Sequence, residues 1–176
     1  MEKKAFLGLM AALIFVLAVP YAGAEELTPA LCKAKTRAAA ALLEAEGDAA
    51  LAKIKDANGE FRFADGKGYV WVHNLDGVMV MHPIKSALDG KGLLDMRDVN
   101  GVYLFVDMNE LCEEHGEGWV PYSWPKPGEE KSSPKISYVK LVEHGGKSYV
   151  AGSGMYDVTV ADIKSNFPGD DVYEGE

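Results

Sequence analysis

The sequence predicts an α+β domain in which a long N-terminal helix packs on an antiparallel sheet of about five strands. A helical repeat runs through residues 30–55, a hairpin pattern surrounds Asp76-Gly77, and three longer alternating runs follow within residues 119–156. This order of long helix, hairpin, loop with a shorter helix, and three-strand meander is typical of an α+β fold. One antiparallel sheet can bury one face under the long helix and leave the other face for a pocket.

The long helix is predicted to begin at Thr28-Pro29, because threonine is a good N-cap and proline suits the first turn. The stretch from Ala30 to Lys55 is rich in Ala, Leu, Glu and Lys, which are strong helix formers. Gly47 interrupts the pattern, so we expect the helix to kink or divide there. Asn58-Gly59 then marks a turn.

Two short runs of aromatic and β-branched residues, Tyr69–Asn74 and Val78–His82, flank Asp76-Gly77. An Asp-Gly pair between alternating runs is the strongest short-range hairpin signal, so we predict two paired strands. Phe61–Phe63 is predicted to be a short extended piece, and Pro83 should end the second strand of the hairpin.

Residues Lys85–Gly101 contain several glycines and are predicted to be a loop with at most one helical turn. Val102–His115 has a helical pattern that ends at Gly116. Three strands should complete the sheet, with a turn at 144–146 between the last two: Trp119–Trp124, Ile136–Val142 and Tyr149–Tyr156. We divide the chain into a signal peptide at residues 1–24, one domain at residues 25–167 and an acidic flexible tail at residues 168–176.

The first 24 residues have the pattern of a cleaved signal peptide. Lys3 and Lys4 precede the apolar run Ala5–Val19, and Ala22-Gly23-Ala24 suits signal peptidase. An uncleaved membrane anchor is the alternative, but the apolar run is shorter than the roughly 20 residues that span a bilayer. We therefore expect a periplasmic or secreted protein with no stable membrane insertion after cleavage.

The chain carries a formal net charge of −9. This acidity argues against nucleic acid as a partner, because nucleic-acid binding depends on neutralising phosphates. It does not exclude a small anion, since a pocket can be locally basic within an acidic protein. The two cysteines, Cys32 and Cys112, are predicted to form one disulfide in an exported chain; two buried free thiols are the alternative.

An aromatic pair beside a lysine is the main candidate for a binding site. Tyr122 and Trp124 share one face of their strand because side chains alternate, and Lys126 follows just past Pro125. Such a group can hold a carboxylate through charge, a hydroxyl donor and an apolar wall. The alternative is that Trp124 is ordinary core and that Lys126 is a solvated turn charge.

Further candidates lie on the neighbouring predicted strands. Lys135 begins a strand beside the aromatic pair, and Tyr138 on the same strand is either a ligand contact or a core aromatic. His82 is either a hydrogen-bond donor at a pocket mouth or a residue that fixes the following loop. Trp71 shares a face with Tyr69 and His73, and this face is either a pocket wall or packed core.

Several short motifs occur in order through the chain. They are Asp76-Gly77, Met81-His82-Pro83, Gly90–Asp95, Asp98–Gly101, Gly118–Val120, Trp124–Gly128, Pro134–Val139 and Gly152–Tyr156. Together they resemble the single Cache domains, a family of PAS-like extracytoplasmic sensors. The resemblance implies a long helix on a PAS-like sheet, with a pocket for small organic molecules that are commonly short carboxylates. Family members usually sit between two membrane helices of chemoreceptors and sensor kinases, whereas here no second apolar run follows.

The resemblance therefore leads us to expect a freestanding exported sensory domain that binds a small organic ligand, most plausibly a short-chain carboxylate, and signals through a membrane sensor or receptor. A non-catalytic interaction or structural module without a small ligand is the alternative. The sequence contains no nucleophile, P-loop, dinucleotide or zinc-protease motif, so we predict no enzyme and no cofactor. His73 and His82 alone are too few ligands to predict a metal site.

Overall fold

An antiparallel sheet of five strands forms the centre of the domain. The computed structural model describes residues 25–175, so the predicted signal peptide at residues 1–24 lies outside the described part. The strands are β3 (Trp71–His73), β4 (Met79–Met81), β5 (Glu117–Pro125), β6 (Ser132–His144) and β7 (Lys147–Tyr156). They lie in the order β4-β3-β7-β6-β5, and every neighbouring pair is antiparallel. The predicted α+β architecture is thereby confirmed.

The long N-terminal helix divides at Gly47, as predicted. Its first part, α1, spans Pro29–Glu46, and Thr28 caps it by accepting a hydrogen bond of 3.2 Å from the backbone N–H of Leu31. A single turn of 3₁₀ helix at Gly47–Ala49 separates α1 from α2 (Ala50–Lys55). Gly47 has a positive φ of 57°, and a Cβ there would come within 2.4 Å of the His144 ring. Both conditions require glycine, so the kink is fixed by the backbone and by close packing.

Helices cover both faces of the sheet. On one face, α1 packs against residues of the central strands, among them Val72 and Ala151, and against Val70 just before β3. On the other face, α3 (Leu104–His115) packs against Trp71, Val120 and Val150. Because side chains alternate along each strand, neighbouring residues belong to different cores. The second face is the one that contains the candidate site.

A small antiparallel hairpin precedes the main sheet. Its strands are β1 (Arg62–Phe63) and β2 (Gly68–Tyr69), and β2 runs almost directly into β3. The loop predicted between Lys85 and Gly101 contains one turn of 3₁₀ helix at Ser86–Leu88. Within the described residues, no helix is both long and apolar enough to span a membrane.

A C-terminal helix, α4 (Val160–Asn166), appears where the sequence analysis assigned no element. It begins with a capping box, in which the Thr159 side chain accepts from the backbone N–H of Asp162 and the Asp162 carboxylate accepts from the backbone N–H of Thr159. Ile163 then packs in a third small core with Trp119 and Tyr138.

The segment predicted to be an acidic flexible tail makes specific contacts with the edge strand β5. The backbone N–H of Trp119 donates to Asp171, and the backbone N–H of Tyr173 donates to Trp119. The Asp170 carboxylate accepts from Trp119 Nε1 at 2.9 Å and forms an ion pair with Lys33 of α1. These contacts tie the C-terminal segment to both the sheet and the first helix. The exact domain boundaries remain a prediction.

The predicted disulfide between Cys32 and Cys112 is wrong for this structure, in which both residues are buried free thiols. Cys32 packs in the core beneath α1, whereas Cys112 packs in the core beneath α3. The sheet lies between these two cores, so the sulfur atoms cannot meet. Burial raises the pKa of Cys32 to about 11 and that of Cys112 to about 12, which keeps both thiols protonated.

Candidate functional site

A small, partly open cavity lies between the sheet and the start of α3. Its volume is about 10 Å³, which is room for roughly one water molecule. Most of its walls are aromatic or apolar, and two polar groups, His82 and Lys135, point into it. Its lining consists of Tyr69, Trp71, Met79, His82, Leu104, Phe105, Tyr122, Trp124 and Lys135. The lining suits a small molecule with one charged end, and the wall side chains have to move apart to admit it.

Lys135 provides the cationic group of the cavity. The residue is 3% exposed, and its Nζ donates a hydrogen bond of 3.1 Å to the hydroxyl of Tyr69. Four aromatic rings surround the ammonium with centroids 4.8 to 5.8 Å away: Tyr69, Trp71, Tyr122 and Tyr156. Among the described residues, no carboxylate forms an ion pair with it.

The environment of Lys135 supports the charged form without neutralising it. Burial acts to lower the pKa of the ammonium, while the surrounding tyrosine hydroxyls raise it, and the net direction is upward. Ring faces attract a cation through their quadrupoles. A buried charge held this way lacks the counter-ion that usually accompanies one. The cavity is therefore electrostatically ready to accept an anion.

His82 supplies a second donor. Its Nδ1 accepts hydrogen bonds from the backbone N–H groups of Ile84 and Lys85, at 3.2 and 3.0 Å. Burial, together with the charges of Lys135 and Lys85, lowers the pKa of His82 to about 3. The ring is therefore neutral, and its proton is assigned to Nε2 because Nδ1 acts as an acceptor. His82 therefore fixes the following loop, and it also lines the cavity. Its role as a hydrogen-bond donor to a ligand stays a prediction.

A chain of hydrogen bonds fixes the position of Trp71. Its Nε1 donates to His73 Nδ1 at 3.3 Å, and His73 Nε2 bonds the side-chain oxygen of Asn109 on α3 at 3.1 Å. The indole N–H is thereby occupied, so Trp71 acts as an apolar wall. Its ring lies on Gly152 of β7, where a Cβ would come within 2.3 Å of the indole. Glycine at this position leaves the space that the tryptophan occupies.

Two further aromatic residues complete the wall. Tyr122 is 7% exposed, and its hydroxyl exchanges a hydrogen bond of 2.9 Å with Ser137. Trp124 is partly buried, and the Lys85 ammonium lies 4.5 Å from the centroid of its ring. Alternation along β5 places both residues on the cavity side, as the sequence pattern predicts.

Five of the seven residues predicted to bind a ligand thus line one cavity: Trp71, His82, Tyr122, Trp124 and Lys135. Lys126 lies elsewhere, at the surface, where it forms an ion pair of 2.8 Å with Asp157. Tyr138 also lies elsewhere, because it projects from the opposite face of β6 and packs against Trp119. Its hydroxyl accepts a hydrogen bond from Arg37 of α1.

Other lining residues were not among the predicted site residues. Tyr69 and Met79 follow from strand alternation, since Tyr69 shares a face with Trp71. Leu104 and Phe105 come from the first turn of α3, and helical periodicity alone does not indicate which residues of this helix reach the cavity. Among the described residues, no cluster of three or more His, Cys, Asp or Glu side chains could hold a metal ion.

Comparison with known proteins places this architecture in a family. The family model of the Cache domain matches residues 33–166, which is most of the chain. The protein therefore belongs to the Cache domain family, as the sequence motifs indicated.

Two curated relatives are signalling proteins. The methyl-accepting chemotaxis protein McpP of Pseudomonas putida is 36% identical over 103 residues, which cover 58% of this chain and 18% of the relative. The sensor histidine kinase MctS of Rhizobium johnstonii is 29% identical over 89 residues, which cover 51% of this chain and 19% of the relative. The matched part thus spans about a fifth of the length of these curated relatives.

Solved structures show the same fold. A periplasmic sensor domain of a chemotaxis protein is 36% identical, with a TM-score of 0.63 and coverage of 73% of this chain and 94% of that one. A Cache chemosensory domain that was described for its recognition of carboxylic acids is 31% identical, with a TM-score of 0.62 and coverage of 72% and 91%. The fold is thus that of extracytoplasmic Cache sensors.

Proposed function

We propose that this protein is an exported sensory domain that reversibly binds a small carboxylate in the cavity between its sheet and α3. The observation that carries the proposal is the Lys135 ammonium, which is buried beside the cavity without a carboxylate partner among the described residues. In this proposal the carboxylate of the ligand supplies the missing counter-ion.

The hydrogen-bonding character of the cavity supports an anionic ligand. Lys135 Nζ, the Nε2–H assigned to His82 and the hydroxyl of Tyr69 are all able to donate. The apolar walls formed by Trp71, Met79 and Phe105 suit a short hydrocarbon tail. A small carboxylate meets both conditions because its oxygens only accept hydrogen bonds. A similar domain described for carboxylic acid recognition adds support.

The test compares ligands that differ in charge and little else. Isothermal titration with acetate, propionate and butyrate should give saturable heat, whereas propionamide, which is neutral and nearly the same shape as propionate, should give none. Native mass spectrometry of gently purified protein should show a small adduct that is lost on denaturation. Equal binding of propionate and propionamide, or heat from no acid at all, would contradict the proposal.

Signalling through a membrane sensor or receptor is the second part of the proposal. It rests on the chemotaxis receptor and the sensor kinase among the relatives, and the cleaved signal peptide and periplasmic or secreted location go with it. Cross-linking in cells, with and without the carboxylate, should capture a membrane partner in a ligand-dependent manner. Capture that does not respond to ligand, together with silent titrations, would favour the non-catalytic interaction module instead.

A further inference from the structure

Two lysines other than Lys135 lie against aromatic rings that either line the cavity or contact Lys135. The ammonium of Lys85 is 4.5 Å from the ring centroid of Trp124, which lines the cavity. The ammonium of Lys126 is 5.6 Å from the ring centroid of Tyr156, which also contacts Lys135. Each lysine therefore marks one side from which an anion could approach the interior.

The two sides differ in charge. Lys126 is neutralised by Asp157 at 2.8 Å, so it offers little attraction to an incoming anion. Within residues 25–175, Lys85 has no carboxylate at ion-pair distance. The surrounding protein is acidic, with a net charge of −9, so an unpaired lysine stands out as a local attraction for anions.

The position of Lys85 is held by the site itself. Its backbone N–H donates to Nδ1 of His82, which is a residue of the cavity wall. The side chain is partly buried rather than free in solvent. Burial lowers the pKa of Lys85, Tyr69 opposes this, and the charge of Lys135 adds to it. The two ammonium groups lie against rings of the same cavity lining, Lys85 on Trp124 and Lys135 on Trp71. An anion that approaches Lys85 is therefore also attracted toward Lys135.

Most side chains of the cavity wall are buried and the space between them is small, so a ligand has to move a side chain to enter. Trp71, His82 and Lys135 are each 3% exposed, whereas Trp124 is only partly buried. Trp124 is thus the cavity-lining ring that combines contact with solvent and contact with an unpaired cation.

We propose that small carboxylates enter past Trp124 and that Lys85 is the residue that recruits them there. The inference rests on the proposed function, because it assumes that the cavity binds carboxylates. Lys85 then acts on the approach of the ligand, while Lys135 holds the bound ligand. Charges at the rim of a site mainly change the association rate, whereas buried charges mainly change the dissociation rate.

Stopped-flow mixing with propionate can separate these roles, with the fluorescence of the cavity tryptophans as the signal. Lys85→Met should lower the association rate constant by roughly threefold to tenfold and leave the dissociation rate constant unchanged. Lys85→Arg should keep the wild-type rate. Lys126→Met is the matched control, because it removes a lysine that lies on the ring of Tyr156 and is already paired with Asp157. It should change neither rate constant.

Ionic strength gives a second measurement. Added salt should slow association in the wild type and have a smaller effect in Lys85→Met, because salt screens the charge that the substitution removes. Slower association in Lys126→Met alone, or equal rate constants in Lys85→Met and wild type, would overturn the inference. Failure of the wild type to bind any carboxylate would instead contradict the proposed function, so the two failures are distinct. Circular dichroism of Lys85→Met and of Lys85→Arg checks that both variants are folded.

Discussion

Replacing Lys135 with methionine tests whether this lysine serves binding or the stability of the fold. Methionine has a similar length and an apolar tip, so it fills the same space without the charge. In the ligand-free protein, the substitution removes a desolvation penalty of several kcal/mol. It also removes a charged hydrogen bond to Tyr69, worth roughly 1.5–3 kcal/mol, and contacts with four rings, where a single ring stabilises a desolvated cation by about 2 kcal/mol.

These opposing contributions are similar in size. We therefore expect the free energy of unfolding of ligand-free Lys135→Met to lie within about 1 kcal/mol of wild type, or above it, as is often found when buried charges are replaced. Carboxylate affinity should fall at least about 100-fold, since losing a buried charge partner costs at least about 3 kcal/mol. Saturating propionate at about 100 times the wild-type Kd should stabilise the wild type by about 2.7 kcal/mol and the variant by no more than about 0.4 kcal/mol.

Urea unfolding with and without propionate, combined with isothermal titration, measures both quantities on the same samples. Lys126→Met serves as the control, because this lysine is paired with Asp157 at the surface. A loss of more than about 2 kcal/mol in ligand-free Lys135→Met would show that the lysine is a structural residue. Unchanged propionate affinity in a stable variant would remove Lys135 from the binding site.

Three further predictions concern the buried histidines, the cysteines and the C-terminal segment. Burial lowers the pKa of His82 to about 3 and that of His73 to about 4, so the unfolded chain binds more protons below pH 6.5. The free energy of unfolding should thus be highest above pH 6.5 and should fall as the pH drops toward about 3; a flat profile in urea unfolding would contradict this. Thiol titration should detect no reactive cysteine in the folded protein and two after unfolding without reductant, whereas a disulfide would give none in either state. Asp170→Ala should lower the free energy of unfolding by about 2 kcal/mol and speed hydrogen exchange at the amide of Trp119, because Lys33 and Trp119 Nε1 lose a charged partner. Unchanged exchange would show that the C-terminal segment is held by its backbone hydrogen bonds alone.

Strand periodicity was sufficient to find most of the cavity. The alternating pattern of residues 69–74 puts Trp71 on the side of the sheet away from α1, and the same rule puts Tyr122 and Trp124 there. It also separates Lys135 from Tyr138, since an odd spacing of three residues on β6 points them to opposite faces. Tyr138 was a candidate because its residue type suits a ligand, but the register decides its position.

Other features depend on contacts that no local pattern specifies. The helical periodicity around Cys32 and Cys112 does not say on which face of the sheet each helix packs, and this alone excludes the disulfide. The sequence does not distinguish Lys85 from an ordinary surface lysine, because its contact with Trp124 exists only in the folded structure. By contrast, α4 had a local signal, because Thr159 and Asp162 have the spacing of a capping box, although the acidic and glycine-rich residues around it favoured a tail.

Among the described residues, no carboxylate forms an ion pair with Lys135, and this has a consequence for reversible binding. An aspartate or glutamate within the cavity would form a permanent ion pair with the lysine, and a ligand would then have to displace a partner already held by the fold. Four aromatic rings and a tyrosine hydroxyl instead keep the ammonium in place without neutralising it. Binding of a carboxylate ligand then adds a charge-assisted hydrogen bond to the buried cation. When the ligand dissociates, the aromatic rings still stabilise the unpaired ammonium. In the proposed function, incomplete charge pairing in the unliganded protein is thus what allows a small carboxylate to be bound and released.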